Sequence, residues 1–160
     1  MDFQTPFNCC KYMVSLIPKN AKTILEPTPG EGNLVSVLKK KGYNVRYPVY
    51  PENFWQLPYY QRYDSVVMNP PFSPMKIGYK ILYKCMELSD SIIALMPWLT
   101  IINSEKRTSD IINYGLKSVT HLPRSMFKGA RVQTCILEMN KGYKGNILFH
   151  NYGRIGGDLG

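Results

Sequence analysis

The residues with the clearest chemical meaning are Asn69-Pro70-Pro71-Phe72. They follow an apolar run, residues 65–68, that is typical of a buried strand, so they should lie at a strand's carboxyl end, where open α/β sheets bind ligands. The two prolines restrict the backbone and so orient the Asn69 amide and the neighbouring carbonyl groups. Such oxygens can accept both hydrogens of an exocyclic amine on a planar ring, while Phe72 stacks on the ring. A proline-terminated strand end without chemistry is the alternative.

A second candidate site is the turn Glu26-Pro27-Thr28-Pro29-Gly30-Glu31-Gly32. Its two glycines let the backbone approach a ligand closely at the start of a helix, and Glu26 supplies a carboxylate where the preceding strand ends. The glycine pattern of dinucleotide-binding proteins is incomplete here, and an ordinary tight turn explains the same residues. The acidic residue favours a ligand that carries a cationic amine over a pyrophosphate.

Charge and lysine spacing favour a polyanionic partner. Twenty Lys and Arg residues against 11 Asp and Glu give a net charge of +9, which suits nucleic acid. Lys76, Lys80 and Lys84 recur every four residues after the proline loop, so on a helix they form one basic stripe. Phosphate binding and a merely solvated face explain this stripe equally well. The run Lys39-Lys40-Lys41 closes a helix, where cations complement the helix dipole, and this explanation and a phosphate contact fit the run equally well.

Strands and helices alternate along the chain, which predicts an α/β fold with a mostly parallel sheet and helices on both faces. One domain over residues 1–150 is expected, followed by a glycine-rich, loosely ordered tail over residues 151–160. Strands are predicted at 22–26, 43–47, 65–68, 91–96, 119–122 and 134–139, and helices at 7–17, 34–41, 77–88 and 105–114.

Four cysteines stand at positions 9, 10, 85 and 135. Their spacing fits no metal site, so reduced thiols and no metal are expected. No apolar run is long enough to cross a bilayer, and residues 1–4 do not begin a leader peptide. A cytoplasmic protein without a membrane partner is the resulting expectation.

Taken in order, residues 3–6, 25–32 and 69–72 resemble the motifs of S-adenosylmethionine-dependent DNA adenine-N6 methyltransferases, and the similarity covers most of the chain. The resemblance implies a Rossmann-like methyltransferase fold, S-adenosylmethionine as cofactor, DNA as partner, and methyl transfer to adenine N6. By the same resemblance the cofactor is held by Phe3, Thr5, Pro6, Glu26, Pro27, Thr28, Gly30, Gly32, Asn53 and Phe54. The resemblance assigns catalysis to Asn69, Pro70, Pro71 and Phe72. Candidate substrate contacts are Lys76 and Lys80 of the basic stripe, together with Phe127 and Arg131 of the loop at residues 126–131. A core aromatic is the alternative for Phe127, and a helix cap for Thr5-Pro6.

Two positions depart from the family pattern. Asn53 stands where the family has an acidic residue that meets the cofactor's adenine. Tyr47-Pro48-Val49 stands where an acidic residue holds the ribose, and Glu52 is the nearest substitute. Weak cofactor binding is one expected consequence.

Other functions fit the same motifs. Similar loops occur in enzymes that methylate amines in ribosomal RNA or the glutamine amide in proteins, and a catalytically silent nucleic-acid-binding protein could retain the same scaffold. A separate target-recognition domain is not expected within 160 residues. Target recognition is therefore expected to be slight, to come from a partner chain or homodimer, or to lie in loops such as residues 123–131. A small restriction-modification system is one setting that the size suggests.

Overall fold

A computed structural model describes residues 4–49, 52–57, 61–127, 129 and 132–155. Two residues with predicted roles, Phe3 and Arg131, lie outside the described residues.

Within the described residues, seven strands form one sheet in the order β2-β1-β3-β4-β6-β5-β7. The strands are β1 (Thr23–Leu25), β2 (Asn44–Arg46), β3 (Ser65–Met68), β4 (Ser91–Pro97), β5 (Leu116–Leu122), β6 (Thr134–Asn140) and β7 (Leu148–Asn151). Strand β6 runs antiparallel to the strands beside it, β4 and β5, and the other pairings of these seven strands are parallel. The prediction of a mostly parallel sheet is therefore confirmed.

Helices cover both faces of this sheet. They are α1 (Phe7–Ser15), α2 (Asn33–Lys40), α3 (Met75–Leu88), α4 (Leu99–Ile102), α5 (Glu105–Gly115) and α6 (Tyr152–Ile155). One core cluster joins α1 and α2 to one face, and a second joins α3 and α5 to the other. In β3, Val67 belongs to the first cluster and Val66 and Met68 to the second, because successive side chains of a strand point to opposite faces.

The order in which the chain adds strands to the sheet reverses beside β1. From β1 the chain moves to β2 on one side, and later to β3 and β4 on the other. In α/β sheets the crevice at the carboxyl ends of strands at such a point is where ligands bind. Leu25 of β1 pairs with Val66 of β3. Glu26 directly after β1 and Asn69 directly after β3 therefore lie at the carboxyl ends of neighbouring strands.

Every strand and helix predicted from the sequence is present, with ends shifted by a few residues at most. The short elements α4, α6 and β7 were not predicted. Residues 151–155, predicted to belong to a loose tail, instead complete β7 and form α6, where Tyr152 is buried and packs edge-on against Tyr12. One buried aromatic thus anchors a segment whose composition alone suggested disorder.

All four cysteines are buried free thiols, as the sequence predicted. Among the described residues, no helix combines the length and the apolar character needed to span a membrane.

Candidate active site

A cleft of about 1000 Å³ opens at the carboxyl ends of β1 and β3, where the strand order reverses. It brings together most of the predicted site residues, although they come from five separate parts of the chain. Those that line it are Thr5, Glu26, Pro27, Thr28, Gly30, Asn53, Phe54, Asn69, Pro70, Pro71, Phe72 and Phe127. Pro6, Gly32, Lys76 and Lys80 are not among its lining residues.

Thr5 orients the Asn69 side chain. The Asn69 amide nitrogen donates a hydrogen bond of 2.9 Å to the Thr5 hydroxyl, which is buried. The Thr5 backbone carbonyl in turn accepts a 2.9 Å hydrogen bond from the Asn33 side chain at the start of α2. Because the nitrogen of the amide is held by Thr5, its oxygen points away from Thr5. The N-terminal segment therefore sets the orientation of the Asn69 amide.

The proline loop packs tightly against α3. Pro70 is buried, and a Cβ atom added at Gly78 would lie 2.9 Å from the Pro71 carbonyl oxygen. Such a distance is shorter than an ordinary van der Waals contact, so the absence of a side chain at position 78 lets the helix touch the loop. The Ser73-Pro74 peptide bond that leads into α3 is cis. The loop is thus fixed by its own prolines and by the helix that follows it.

Glu26 is a buried carboxyl group that has little to neutralise it. It is 1% exposed, and its Oε1 atom accepts a 2.8 Å hydrogen bond from the Thr28 backbone N–H. Burial raises the pKa of Glu26 to about 8, against the lowering effect of Thr28. The Thr28 hydroxyl also lowers the pKa of Glu26, although it forms no hydrogen bond of good geometry. No cation of the described chain pairs with Glu26, so a cationic ligand group would stabilise its charged form.

The glycine turn leads directly into α2. Gly30 and Gly32 have φ values of +52° and +93°, which L side chains rarely adopt. A Cβ atom at Gly30 would lie 2.6 Å from the side-chain nitrogen of Gln4, so the N-terminal segment passes directly over this turn. At Gly32 nothing lies within 4 Å of that position. The turn can therefore hold the N-terminal segment on one side and present open backbone on the other.

Asn53 serves as the cap of a short 3-10 turn over Phe54–Gln56. Its Oδ1 atom accepts a 2.9 Å hydrogen bond from the Trp55 backbone, and Gln56 Oε1 accepts one of 2.8 Å from the Asn53 backbone. Phe54 is buried beneath the cleft and packs edge-on against Trp55 at 4.8 Å. Trp55, which was not predicted from the sequence, lines the cleft with half of its surface exposed. Adjacent aromatic residues in a proline-rich connection were the available signal.

Glu52 brings a carboxylate to the end of β2. Its side chain lies 3.6 Å from the Arg46 guanidinium, the last residue of that strand, and lines the cleft. The nearest acidic substitute identified in the sequence is thus present at the cleft wall, although it comes from a loop and not from the strand itself.

The two aromatic residues predicted to meet a substrate both border the cleft. Phe127 is 6% exposed and belongs to the core cluster of α1 and α2, whereas Phe72 is half-buried and packs against that cluster. The core alternative for Phe127 therefore describes its burial correctly. Phe72 keeps the more accessible ring.

Lys76 and Lys80 lie outside the cleft, on α3. They line a separate shallow groove of about 560 Å³. Trp55 lines both the groove and the cleft, so the two depressions adjoin at this residue.

No protein-family model matches the chain, and no curated protein sequence matches it. Its fold is shared with solved methyltransferase structures. The methyltransferase subunit of a type I restriction-modification system from Streptococcus thermophilus superposes with a TM-score of 0.71 at 17% identity, over 95% of this chain and 48% of that one. For the type I restriction enzyme EcoKI M protein the TM-score is 0.65 at 15% identity, over 91% and 45% of the two chains.

The 23S rRNA methyltransferase ErmE superposes with a TM-score of 0.55 at 16% identity, over 88% of this chain and 70% of that one. The chain spans about half the length of the two restriction-system proteins. At these identities the likeness concerns architecture: the chain has the Rossmann-like α/β fold of these methyltransferases.

Proposed function

We propose that this chain transfers a methyl group from S-adenosylmethionine to the exocyclic N6 amine of adenine in DNA. The observation that carries the proposal is the Asn69 amide, held by Thr5 in the same cleft as Glu26 and the glycine turn. The shared fold of restriction-system methyltransferases supports it as well.

The chemistry of the cleft fits the cofactor. Glu26 is a buried carboxyl group without a cationic partner among the described residues, and the cofactor's methionine end carries a cationic amine. Glu52 offers a second carboxylate for ribose hydroxyls, and Phe54 and Trp55 offer aromatic surface for an adenine ring. Asn53 also lines the cleft, and an amide oxygen that caps a turn still has a second lone pair for an adenine amine. When bound, S-adenosylmethionine supplies a methyl group on a sulfonium centre.

Asn69 and Pro70 activate the target amine. The lone pair of adenine N6 is delocalised into the ring, which makes the nitrogen a poor nucleophile. Hydrogen bonds from its two N–H groups to the Asn69 Oδ1 atom and the Pro70 carbonyl oxygen favour a more tetrahedral nitrogen with a localised lone pair. Pro71 keeps both acceptors in place because it restricts the backbone on their carboxyl side.

The target base must leave the duplex before it can enter the cleft. Base flipping costs a few kcal/mol, and stacking on the half-buried Phe72 ring offsets part of that cost. Phe127 also lines the cleft and is proposed to limit the space available to the base. Arg131, from the same loop of the sequence as Phe127, is proposed as a further DNA contact.

The test is methyl transfer from labelled S-adenosylmethionine to duplex DNA, single-stranded DNA, RNA and protein in parallel, with the DNA product digested to nucleosides. The proposal predicts label on N6-methyladenine from DNA. Label confined to RNA or to protein glutamine would reject it.

Methylation of RNA is the second candidate, because the fold is also shared with a 23S rRNA methyltransferase. The same acceptor pair would serve an adenine or guanine amine in RNA. The restriction-system structures superpose with the higher TM-scores, which favours DNA. A partner chain for target recognition is part of the proposal, since one similar structure is described as a subunit.

A further inference from the structure

We propose that the groove along α3 binds an unpaired nucleic-acid strand and leads it to the cleft. The proposal rests on the proposed function for its direction, because it extends the path of the substrate from the catalytic loop. The groove is lined by Trp55, Lys76, Tyr79, Lys80, Tyr83 and Lys84, with Glu87 at its end.

The composition of the groove matches the chemistry of a single strand. Lysines alternate with tyrosines because Lys76, Lys80 and Lys84 share one helix face with Tyr79 and Tyr83. Proteins that bind single strands combine cations that follow the phosphates with aromatic rings on which the bases stack. From Lys76 to Lys84 the helix rises about 12 Å, which is room for on the order of three stacked nucleotides.

The two cations nearest the cleft are available to an anion. Lys76 and Lys80 are exposed and form no ion pair within the described part of the chain. Lys84, farther along, lies 3.0 Å from Glu87. Positive charge is therefore concentrated at the end of the groove that meets the cleft, and the acidic residue stands at the far end.

The tyrosine rings are supported from behind by α5. The Arg107 guanidinium lies 3.7 Å from the centre of the Tyr79 ring, and it is fixed there by hydrogen bonds to the Thr100 and Leu99 carbonyl oxygens. The Tyr83 hydroxyl donates to Asp110, which also accepts a 2.7 Å hydrogen bond from Lys106. Rings held in this way lose little conformational freedom when a base stacks on them.

Trp55 joins this groove to the cleft. It lines both, and half of its surface is exposed. A strand that runs along α3 therefore arrives beside the Asn-Pro-Pro-Phe loop, since α3 begins three residues after Phe72. An extended peptide has no regular row of phosphates to meet the lysines, so the spacing of charge favours nucleic acid.

The experiment measures the affinity of fluorescent oligothymidylate and oligouridylate of about eight nucleotides by anisotropy, without cofactor. Neither thymine nor uracil carries an exocyclic amine, so neither probe can be methylated there and the experiment measures binding alone. Lys76→Ala/Lys80→Ala should weaken binding about tenfold and lower the slope of log affinity against log salt by about 1.4. Lys40→Ala/Lys41→Ala removes the same charge at the end of α2, on the opposite face of the sheet, and should change affinity little.

Aromatic stacking is tested by Tyr79→Leu against Tyr79→Phe. Leucine should cost about fivefold or more in affinity, while phenylalanine keeps the ring and the affinity. An equal loss in both lysine double variants, or an unchanged affinity in Tyr79→Leu with the fold intact by circular dichroism, would overturn the inference. Tighter binding of oligouridylate with the same variant effects would support the groove and count against DNA as the methylated substrate.

Discussion

At the scale of single residues, the polar groups of the cleft take their orientation from neighbours far away in the sequence. Asn69 is held by Thr5, and Thr5 is held by Asn33. Glu26, in contrast, accepts a hydrogen bond from the nearby Thr28 backbone, and this bond does not offset the free-energy cost of burying its charged form. One group is thus fully positioned, and the other is poised to gain from a cationic ligand.

Replacement of Glu26 by glutamine should stabilise the protein, and more so at alkaline pH. The pKa of Glu26 rises from 4.5 to about 8 on folding, so between these values the unfolded chain releases a proton that the folded chain keeps. Stability therefore falls as pH rises through this window. Glu26→Gln removes this fall, and its gain should grow from pH 5 to pH 8 by about 3 kcal/mol.

Urea unfolding of both proteins at the two pH values measures this difference. Glu31→Gln removes an exposed carboxylate from the same turn and serves as the control. A gain from Glu26→Gln that is the same at pH 5 and pH 8 would contradict the assigned burial cost. Cofactor affinity should fall in Glu26→Gln, since the stabilising change removes the charge that a cationic amine needs.

Loss of the Thr5 hydroxyl should change the orientation of the Asn69 side chain and leave the rest of the site in place. Thr5→Val keeps the shape of the side chain and removes the acceptor of the 2.9 Å hydrogen bond, so the Asn69 amide loses its fixed orientation. We expect the turnover number to fall about tenfold or more, because small errors of position are costly in catalysis. Thr5→Ser retains the hydroxyl and should retain most of the activity. Equal turnover in the valine and serine variants would show that this bond does not orient Asn69.

At the scale of elements, the proline loop is held between β3 and α3. The sequence predicted this arrangement well, since the apolar run at 65–68 and the periodic segment at 77–88 have clear patterns. It did not predict the contact between Gly78 and Pro71, because a close backbone approach between a helix and a loop leaves no periodic signal. It also missed β7, which has four residues and pairs only with β5.

A side chain at Gly78 should displace the loop. Alanine there would place its Cβ atom 2.9 Å from the Pro71 carbonyl oxygen. The helix itself would gain about 1 kcal/mol from the substitution, so a folded variant with a shifted loop is expected. We predict a fall in turnover of about tenfold or more, with the cofactor dissociation constant unchanged. A parallel rise in that constant would indicate that the damage extends to the glycine turn.

At the scale of the whole molecule, the fold places five separate segments around one cleft. The sequence indicated the sheet, the glycine turn and the proline loop because each has a local pattern of residue types. Asn53 and Glu52 were identified only through the resemblance to a family pattern, and Trp55 was missed. All three lie in an irregular connection whose position depends on the cap at Asn53 and on Arg46. Glu52, identified in the sequence as the nearest substitute for the carboxylate expected at the end of β2, lies at the cleft wall of the folded chain.

Cofactor binding should stabilise the whole domain. A ligand present at about 100 times its dissociation constant adds about 2.7 kcal/mol, which for a domain of this size raises the melting temperature by about 5–10 °C. Thermal unfolding with and without S-adenosylmethionine measures this shift, and Glu26→Ala should reduce it. A native chain whose melting temperature does not respond to saturating cofactor would favour the catalytically silent nucleic-acid-binding protein.

The most direct test of the central claim is a comparison of native protein, Asn69→Ala and Asn69→Asp in methyl transfer to adenine-containing DNA, with cofactor affinity measured by calorimetry. Because Asn69 is assigned to the target amine, alanine should lower turnover by about a hundredfold or more, and all three proteins should bind S-adenosylmethionine alike. Aspartate can still accept the amine hydrogens and should retain part of the activity. Full turnover in Asn69→Ala, or an equal loss of turnover and cofactor affinity, would contradict the account.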